Sequence, residues 1–167
     1  HTRTRRQRQM CIRDRIHTAR VEAGSTVAVI GCGGIGLSAI NGAAIAGASR
    51  IIAVDMVASK LDLARKFGAT DVVDASSGDA VAEVIEMTGG GVHYSFEAIG
   101  LKATAEQAFQ MLRMGGTATV IGMIPPGQMV SLHGVDFLRE KKIQGSMMGS
   151  NRFRVDMPRF VDFYLQG

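Results

Sequence analysis

From Val27 the chain runs through an apolar stretch, Val27-Ala28-Val29-Ile30, into Gly31-Cys32-Gly33-Gly34-Ile35-Gly36. A small-residue helical stretch, Leu37 to Ala48, follows, and a second apolar run, Ile51-Ile52-Ala53-Val54, ends on Asp55, nineteen positions past Gly36. Glycines in this spacing alone are weak evidence. Strand, glycines, helix, strand and terminal acid together form a dinucleotide-binding fingerprint. Each part has a physical task. Gly31 permits the tight turn out of the strand, Gly33 lets the backbone approach a pyrophosphate, and Gly36 lets the helix lie against the sheet. The helix opening at Gly34 and Ile35 turns its N–H groups and positive dipole end toward the phosphates. Asp55 can accept hydrogen bonds from two adjacent ribose hydroxyls, each charge-assisted and worth roughly 1.5–3 kcal/mol. The competing account, an ordinary glycine turn beside a surface Asp, needs all five elements to coincide by chance.

Strand-like and helix-like segments alternate from Val21 onward. Strands are predicted at Val27–Ile30, Ile51–Val54, Asp71–Asp74, Tyr94–Glu97, Thr117–Ile121 and Lys142–Ser146. Helices are predicted at Ile35–Ala48, Ser59–Phe67 with Ser59 as its cap and Gly68 as its stop, Asp79–Thr88, Thr104–Met114, Gly134–Arg139 and Met157–Leu165. Six strands with crossover helices imply an α/β fold of the Rossmann type. That is a doubly wound, parallel, six-stranded sheet with helices on both faces. Right-handed crossovers and two mononucleotide-binding halves give the strand order 3-2-1-4-5-6. The ligand crevice then lies at the carboxyl ends of strands one and four, with Gly31–Gly36, Asp55, Ile99-Gly100 and Ile121-Gly122-Met123 around one cleft.

Charge separates the start of the chain from the rest. Of 19 Lys and Arg, six fall in residues 1–15 (Arg3, Arg5, Arg6, Arg8, Arg13 and Arg15), against Asp14 alone among 15 acids. The remainder carries thirteen bases and fourteen acids. The basic head lacks an initiator Met and hydrophobic periodicity, and it resembles translated adapter sequence. We therefore read residues 1–15 as a non-native, disordered head rather than a nucleic-acid-binding arm, and residues 16–167 as one domain. No apolar run reaches the length of a membrane span, and no signal peptide is visible. Two cysteines, Cys11 and Cys32, make no disulfide framework, so a reducing cytoplasm is expected.

Several blocks carry a family likeness: Ala19 to Val29, Gly31-x-Gly33-Gly34-x-Gly36-Leu37, Gly47 to Asp55, Ala64 to Asp71, and Tyr94-Ser95-Phe96-Glu97-Ala98-Ile99-Gly100. From about Ala19 to Gly167 the chain resembles the cofactor domain of zinc-containing alcohol dehydrogenases of the medium-chain dehydrogenase/reductase superfamily. The resemblance implies hydride exchange between NAD and a primary or secondary alcohol, or the matching aldehyde or ketone. It implies Asp55 on the adenosine ribose, Lys60 approaching the same sugar, and Ile99, Gly100, Ile121, Gly122 and Met123 along the nicotinamide half. Asp55 argues for NAD over NADP, because a 2′-phosphate meets a like charge and no Arg follows in Met56-Val57-Ala58.

Zinc in these enzymes is held by Cys, His and a second Cys or an acid in a catalytic domain that mostly precedes this segment. None of those ligands is recognisable here. Cys11 lies in the suspect head, Cys32 reads as a small apolar filler of the turn, and His1, His17, His93 and His133 show no metal spacing. The catalytic residues therefore stay unassigned, and zinc is expected of the parent enzyme only. The chain reads as a fragment that holds the cofactor without catalysing. By the same resemblance, the edge strand Lys142–Met148 pairs with its twofold mate in a homodimer. Two rival readings remain at this stage: an S-adenosylmethionine-dependent methyltransferase domain, and a non-catalytic dinucleotide-binding module.

Overall fold

A computed structural model describes residues 19–146, together with Pro158 and Val161. The basic head, the helix expected at Met157–Leu165 apart from the helical Pro158 and Val161, and the last two residues of the expected edge strand, Met147 and Met148, lie outside the described residues. Six strands form one parallel sheet: β1 (Thr26–Ile30), β2 (Arg50–Asp55), β3 (Asp71–Asp74), β4 (Val92–Glu97), β5 (Leu112–Val120) and β6 (Lys142–Gly145). Their order is β3-β2-β1-β4-β5-β6, as the crossover rule requires. The crossovers contain α1 (Gly34–Ile45), α2 (Ala58–Lys66), α3 (Ala80–Thr88), α4 (Lys102–Gln110) and α5 (Gly134–Leu138).

The continuous apolar runs of the central strands follow from burial on both faces. Successive residues of a strand point to opposite sides. Val27 and Val29 of β1 join Ile40 of α1, Leu61 of α2 and Phe96 of β4 in one core layer. Ala28 and Ile30 join Val84 of α3 and Phe109 of α4 in the other. Phe96 and Phe109 are the largest fully enclosed side chains, and burying each contributes about 1.5–3 kcal/mol.

Several element ends differ from expectation, each for a local reason. α1 stops at Ile45 rather than Ala48, because Gly47 takes a left-handed φ of +79° and the Ala48 N–H turns back to the Ala43 carbonyl at 3.0 Å. Ser59 does not cap α2. The helix starts one residue earlier behind Val57, with no side-chain cap. α4 runs over Lys102–Gln110, not Thr104–Met114, and β5 begins at Leu112, five residues before the expected Thr117. β4 likewise begins at Val92, which pairs with Leu112 beyond a register shift between Val92 and Tyr94. β6 ends at Gly145; the Ser146 N–H still donates to the Val120 carbonyl at 2.9 Å.

The start of α3 does follow the sequence: Asp79 Oδ1 accepts from the Val81 and Ala82 N–H groups at 2.9 and 3.2 Å, and Gly89 closes the helix in the left-handed region. Replacing Asp79 by Ala is expected to cost about 1 kcal/mol in urea unfolding, the usual value of such a cap.

Candidate functional site

Parallel register brings the strand ends to one level. Ile30 lies beside Val54 on β2 and beside Glu97 on β4, and Glu97 lies beside Val120 on β5. The residues that leave these strands, Gly31, Ala98 and Ile121, therefore surround the point where the winding of the sheet reverses, next to Asp55 at the end of β2. A crevice at such a point is the usual ligand site of open α/β sheets.

The turn after β1 is built for closeness. Gly31 has φ +92°, and its N–H donates to the Val54 carbonyl at 2.8 Å. A Cβ placed on Gly31 would meet Ile99 Cγ1 at 2.5 Å, and one on Gly36 would lie 1.7 Å from the Gly31 carbonyl oxygen. Those two glycines pack the helix against its own loop. Gly33 and Gly34 differ: a Cβ on either meets nothing within 4 Å. They border open space at the amino end of α1, where Gly33 is the N-cap, no side chain caps the helix and no acid occupies the first turn. A helix start with no side-chain cap, beside open space, suits an anion, because its dipole end is positive. Ile35 is half-exposed at the same end.

Asp55 sits against this turn, 9% exposed. Its Oδ2 accepts from the Cys32 N–H at 2.7 Å and its Oδ1 from the Val57 N–H at 3.0 Å. These bonds fix the plane of the carboxylate and occupy about half of its four lone-pair positions, leaving the rest for a ligand. Lys60 Nζ lies 3.8 Å from Oδ2, a loose pair with Lys60 half in solvent. Cys32 is enclosed between the same elements, its Sγ 3.9 Å from the Val54 carbonyl. Burial foremost, then the neighbouring Asp55 charge, pushes its thiol up to about 12, with Lys60 opposing. Such a thiol is a poor nucleophile at neutral pH. At pH 8, iodoacetamide is expected to label Cys32 at least about a hundredfold more slowly in the folded chain than in urea, read site by site by mass spectrometry.

On the other side of the switch point, the Ile99 side chain is half-exposed over Gly31, and Gly100 takes φ +94°. A Cβ on Gly100 would come within 2.7–2.9 Å of the Met123 backbone, and one on Gly122 within 2.1 Å of the Gly100 nitrogen. The two strand-end loops therefore touch backbone to backbone. Met123 is 88% exposed, whereas Ile121 is partly buried and packs on the first core layer.

Glu97 is a residue whose role at the site the sequence reading did not identify. It is fully buried, and its Oε1 accepts from the Ile99 N–H, the Gly100 N–H and the Thr104 hydroxyl at 2.8, 2.7 and 2.8 Å. The available signal was an acid ending an apolar strand just before Ala98-Ile99-Gly100.

Among the described residues, no three His, Cys, Asp or Glu side chains come together as a metal ion would need. His93 accepts from the Thr26 N–H at the opposite end of the sheet, and His133 precedes α5. The described residues do not fit a zinc ion. They do fit a dinucleotide, which needs a glycine turn with room above it, an uncapped helix start and a fixed carboxylate beside them.

Curated and solved proteins match the chain over most of its length. The probable S-(hydroxymethyl)glutathione dehydrogenase 1 of Schizosaccharomyces pombe is 44% identical over 153 residues, which is 90% of this chain and 40% of that protein. The benzyl alcohol dehydrogenase of Acinetobacter calcoaceticus superposes with a TM-score of 0.91 at 35% identity, over 96% of this chain and 44% of that one. A zinc-binding dehydrogenase of Sinorhizobium meliloti, solved bound to NADP, superposes with a TM-score of 0.86 at 32% identity, over 93% and 47%. The chain thus spans about 40% of the length of the curated relatives it matches. The sequence profile of zinc-binding dehydrogenases runs over residues 34–165, from the start of α1 past Asp55 and both strand-end loops, and with that extent the chain belongs to the zinc-binding dehydrogenase family.

Proposed function

We propose that this chain is the NAD(H)-holding domain of a zinc-type alcohol dehydrogenase that exchanges hydride between NAD and an alcohol, or the matching aldehyde or ketone. The observation that carries the reading is the open, uncapped amino end of α1, with Asp55 hydrogen-bonded to the turn beside it. In this reading residues 16–167 are the cofactor domain of a longer protein, which works in a reducing cytoplasm.

Gly31, Gly33, Gly34, Ile35 and Gly36 cradle the diphosphate, Gly33 and Gly34 by leaving it room and α1 by its positive end. Asp55 binds the adenosine ribose hydroxyls, and Lys60 tempers its charge. Ile99, Gly100, Ile121, Gly122 and Met123 line the nicotinamide half and exclude water from it. When bound, the nicotinamide accepts or donates the hydride. The preference for NAD over NADP rests on Asp55 and on Met56 and Val57, exposed residues that offer no positive charge to a 2′-phosphate. The metal site and the proton path belong to residues outside the cofactor domain, and no catalytic residue is assigned within it.

Calorimetric titration of the chain with NADH and with S-adenosylmethionine tests this reading. Saturable NADH binding without a methyl-donor signal is the expected result; tight S-adenosylmethionine binding with no NADH signal would end the dehydrogenase reading.

The partner we infer is a second copy joined along β6. Among the described residues, β6 is the edge strand beside β5, and an edge strand is a template for pairing with another chain. Light scattering of the complete enzyme is expected to give a dimer mass, and a monomer mass would refute the edge-strand pairing.

A further inference from the structure

We infer that Glu97 is a positioning residue for the nicotinamide half of the cleft; this rests on the cofactor reading above. Both loops at that end of the cleft hang from this one residue. Its side-chain Oε1 collects the Ile99 and Gly100 N–H groups and the Thr104 hydroxyl, and so fixes the loop that follows β4. Its main-chain carbonyl accepts from the Ile121 and Gly122 N–H groups at 2.9 and 3.1 Å, and so fixes the loop that follows β5.

The charge is accommodated at a helix start. α4 has no side-chain cap of its own on Leu101, and Thr104, in its first turn, donates to the carboxylate. The second oxygen, Oε2, is fully enclosed and has no hydrogen-bond partner among the described residues. It faces Gly122, where a Cβ would approach it to 2.6 Å. The residue thereby holds two loops in fixed relation: Oε1 gathers the Ile99 and Gly100 N–H groups of the first loop and the Thr104 hydroxyl of α4, while Oε2 packs against Gly122 in the second.

The account predicts a loss confined to the nicotinamide end of the ligand. Calorimetry on the full chain would compare NADH with ADP-ribose, which has the diphosphate and both sugars but no nicotinamide ring. Glu97→Ala is expected to weaken NADH binding at least about tenfold while ADP-ribose stays within about threefold. Glu97→Gln keeps an oxygen for the three donors and is expected to restore NADH binding to within about threefold of the parent chain. Equal losses for both ligands, no loss for either, or a glutamine variant as weak as the alanine variant would overturn the inference. Should Glu97→Ala lose the circular dichroism of the folded chain, Thr104→Val carries the test by removing one donor of three. Its expected result is an NADH loss of about threefold with ADP-ribose unchanged, and parallel changes would count against the proposal. If the parent chain binds ADP-ribose but NADH no more tightly, Glu97 positions nothing for the ring and the inference fails while the diphosphate site stands. If it binds neither, the cofactor reading fails first and takes the inference with it.

Discussion

Replacing Asp55 by Ser together with Met56 by Arg is expected to shift the ratio of NADH to NADPH affinity toward NADPH by on the order of a hundredfold. Two contributions add. The carboxylate gives up two charge-assisted hydrogen bonds to the ribose, roughly 1.5–3 kcal/mol each, of which a serine hydroxyl recovers part. The repulsion of a 2′-phosphate disappears, and the arginine supplies an opposite charge with forked donors. A net change of about 2.8 kcal/mol corresponds to a hundredfold. The geometry makes Asp55 effective as a ribose ligand, because the Cys32 and Val57 N–H groups hold its plane at 2.7 and 3.0 Å and little side-chain freedom is left to lose on binding. Titrating parent and variant with both nucleotides reads the ratio directly, and a general loss of stability lowers both affinities without moving it. An unchanged ratio would mean that Asp55 does not touch the ribose.

The glycines of the turn should separate stability from binding. Gly36→Ala places a methyl 1.7 Å from the Gly31 carbonyl oxygen, inside backbone that is itself held to Val54, so the loop and helix must part. A cost of about 3 kcal/mol or more is expected, seen as a fall in Tm of roughly 6–12 °C. Gly33→Ala meets nothing within 4 Å and sits at φ −76°, ψ −169°, which alanine accepts. Its stability should stay within about 1 kcal/mol of the parent chain. Its NADH affinity should nevertheless fall about tenfold or more, because the methyl enters the space the diphosphate needs. A Gly33→Ala chain that binds NADH like the parent would remove the diphosphate from this end of α1; a Gly36→Ala chain of parental stability would contradict the packing of the turn.

The central sheet was legible because burial on both faces writes itself into sequence as unbroken apolar runs. Val27–Ile30 and Ile51–Val54 have no other reading once a glycine turn and a short helix separate them. The strand order followed from handedness, which leaves few alternatives for six parallel strands. Boundaries were less legible where two structures satisfy the same pattern. Met111 and Leu112 are both buried, as the apolar face of a continuing helix would be, yet Leu112 is already in β5 opposite Val92. Ala46-Gly47-Ala48 has helical composition, but the left-handed Gly47 ends the helix before it. Ser59 resembled a cap in isolation, while α2 begins one residue earlier, where the Val57 N–H is held by Asp55.

The candidate site was half legible for a similar reason. Gly31 to Gly36 and Asp55 announce themselves by spacing, because their task is local to one strand-turn-helix-strand unit. Glu97 does not, because a single acid at a strand end looks like a surface residue until the fold closes over it. What buries it is the contact between the turn after β4 and the loop after β5, where Gly100 and Gly122 approach backbone to backbone. That contact forms only when β4 and β5 lie side by side, and no spacing of residue types marks it.

The most direct test is a crystal structure of the chain grown with NAD. The account predicts diphosphate oxygens at the amino end of α1, over Gly33 and Gly34, with the adenosine ribose hydroxyls on the free lone pairs of Asp55. A dinucleotide found elsewhere, or an Asp55 carboxylate that keeps its bonds to Cys32 and Val57 while the ribose lies out of its reach, would contradict it.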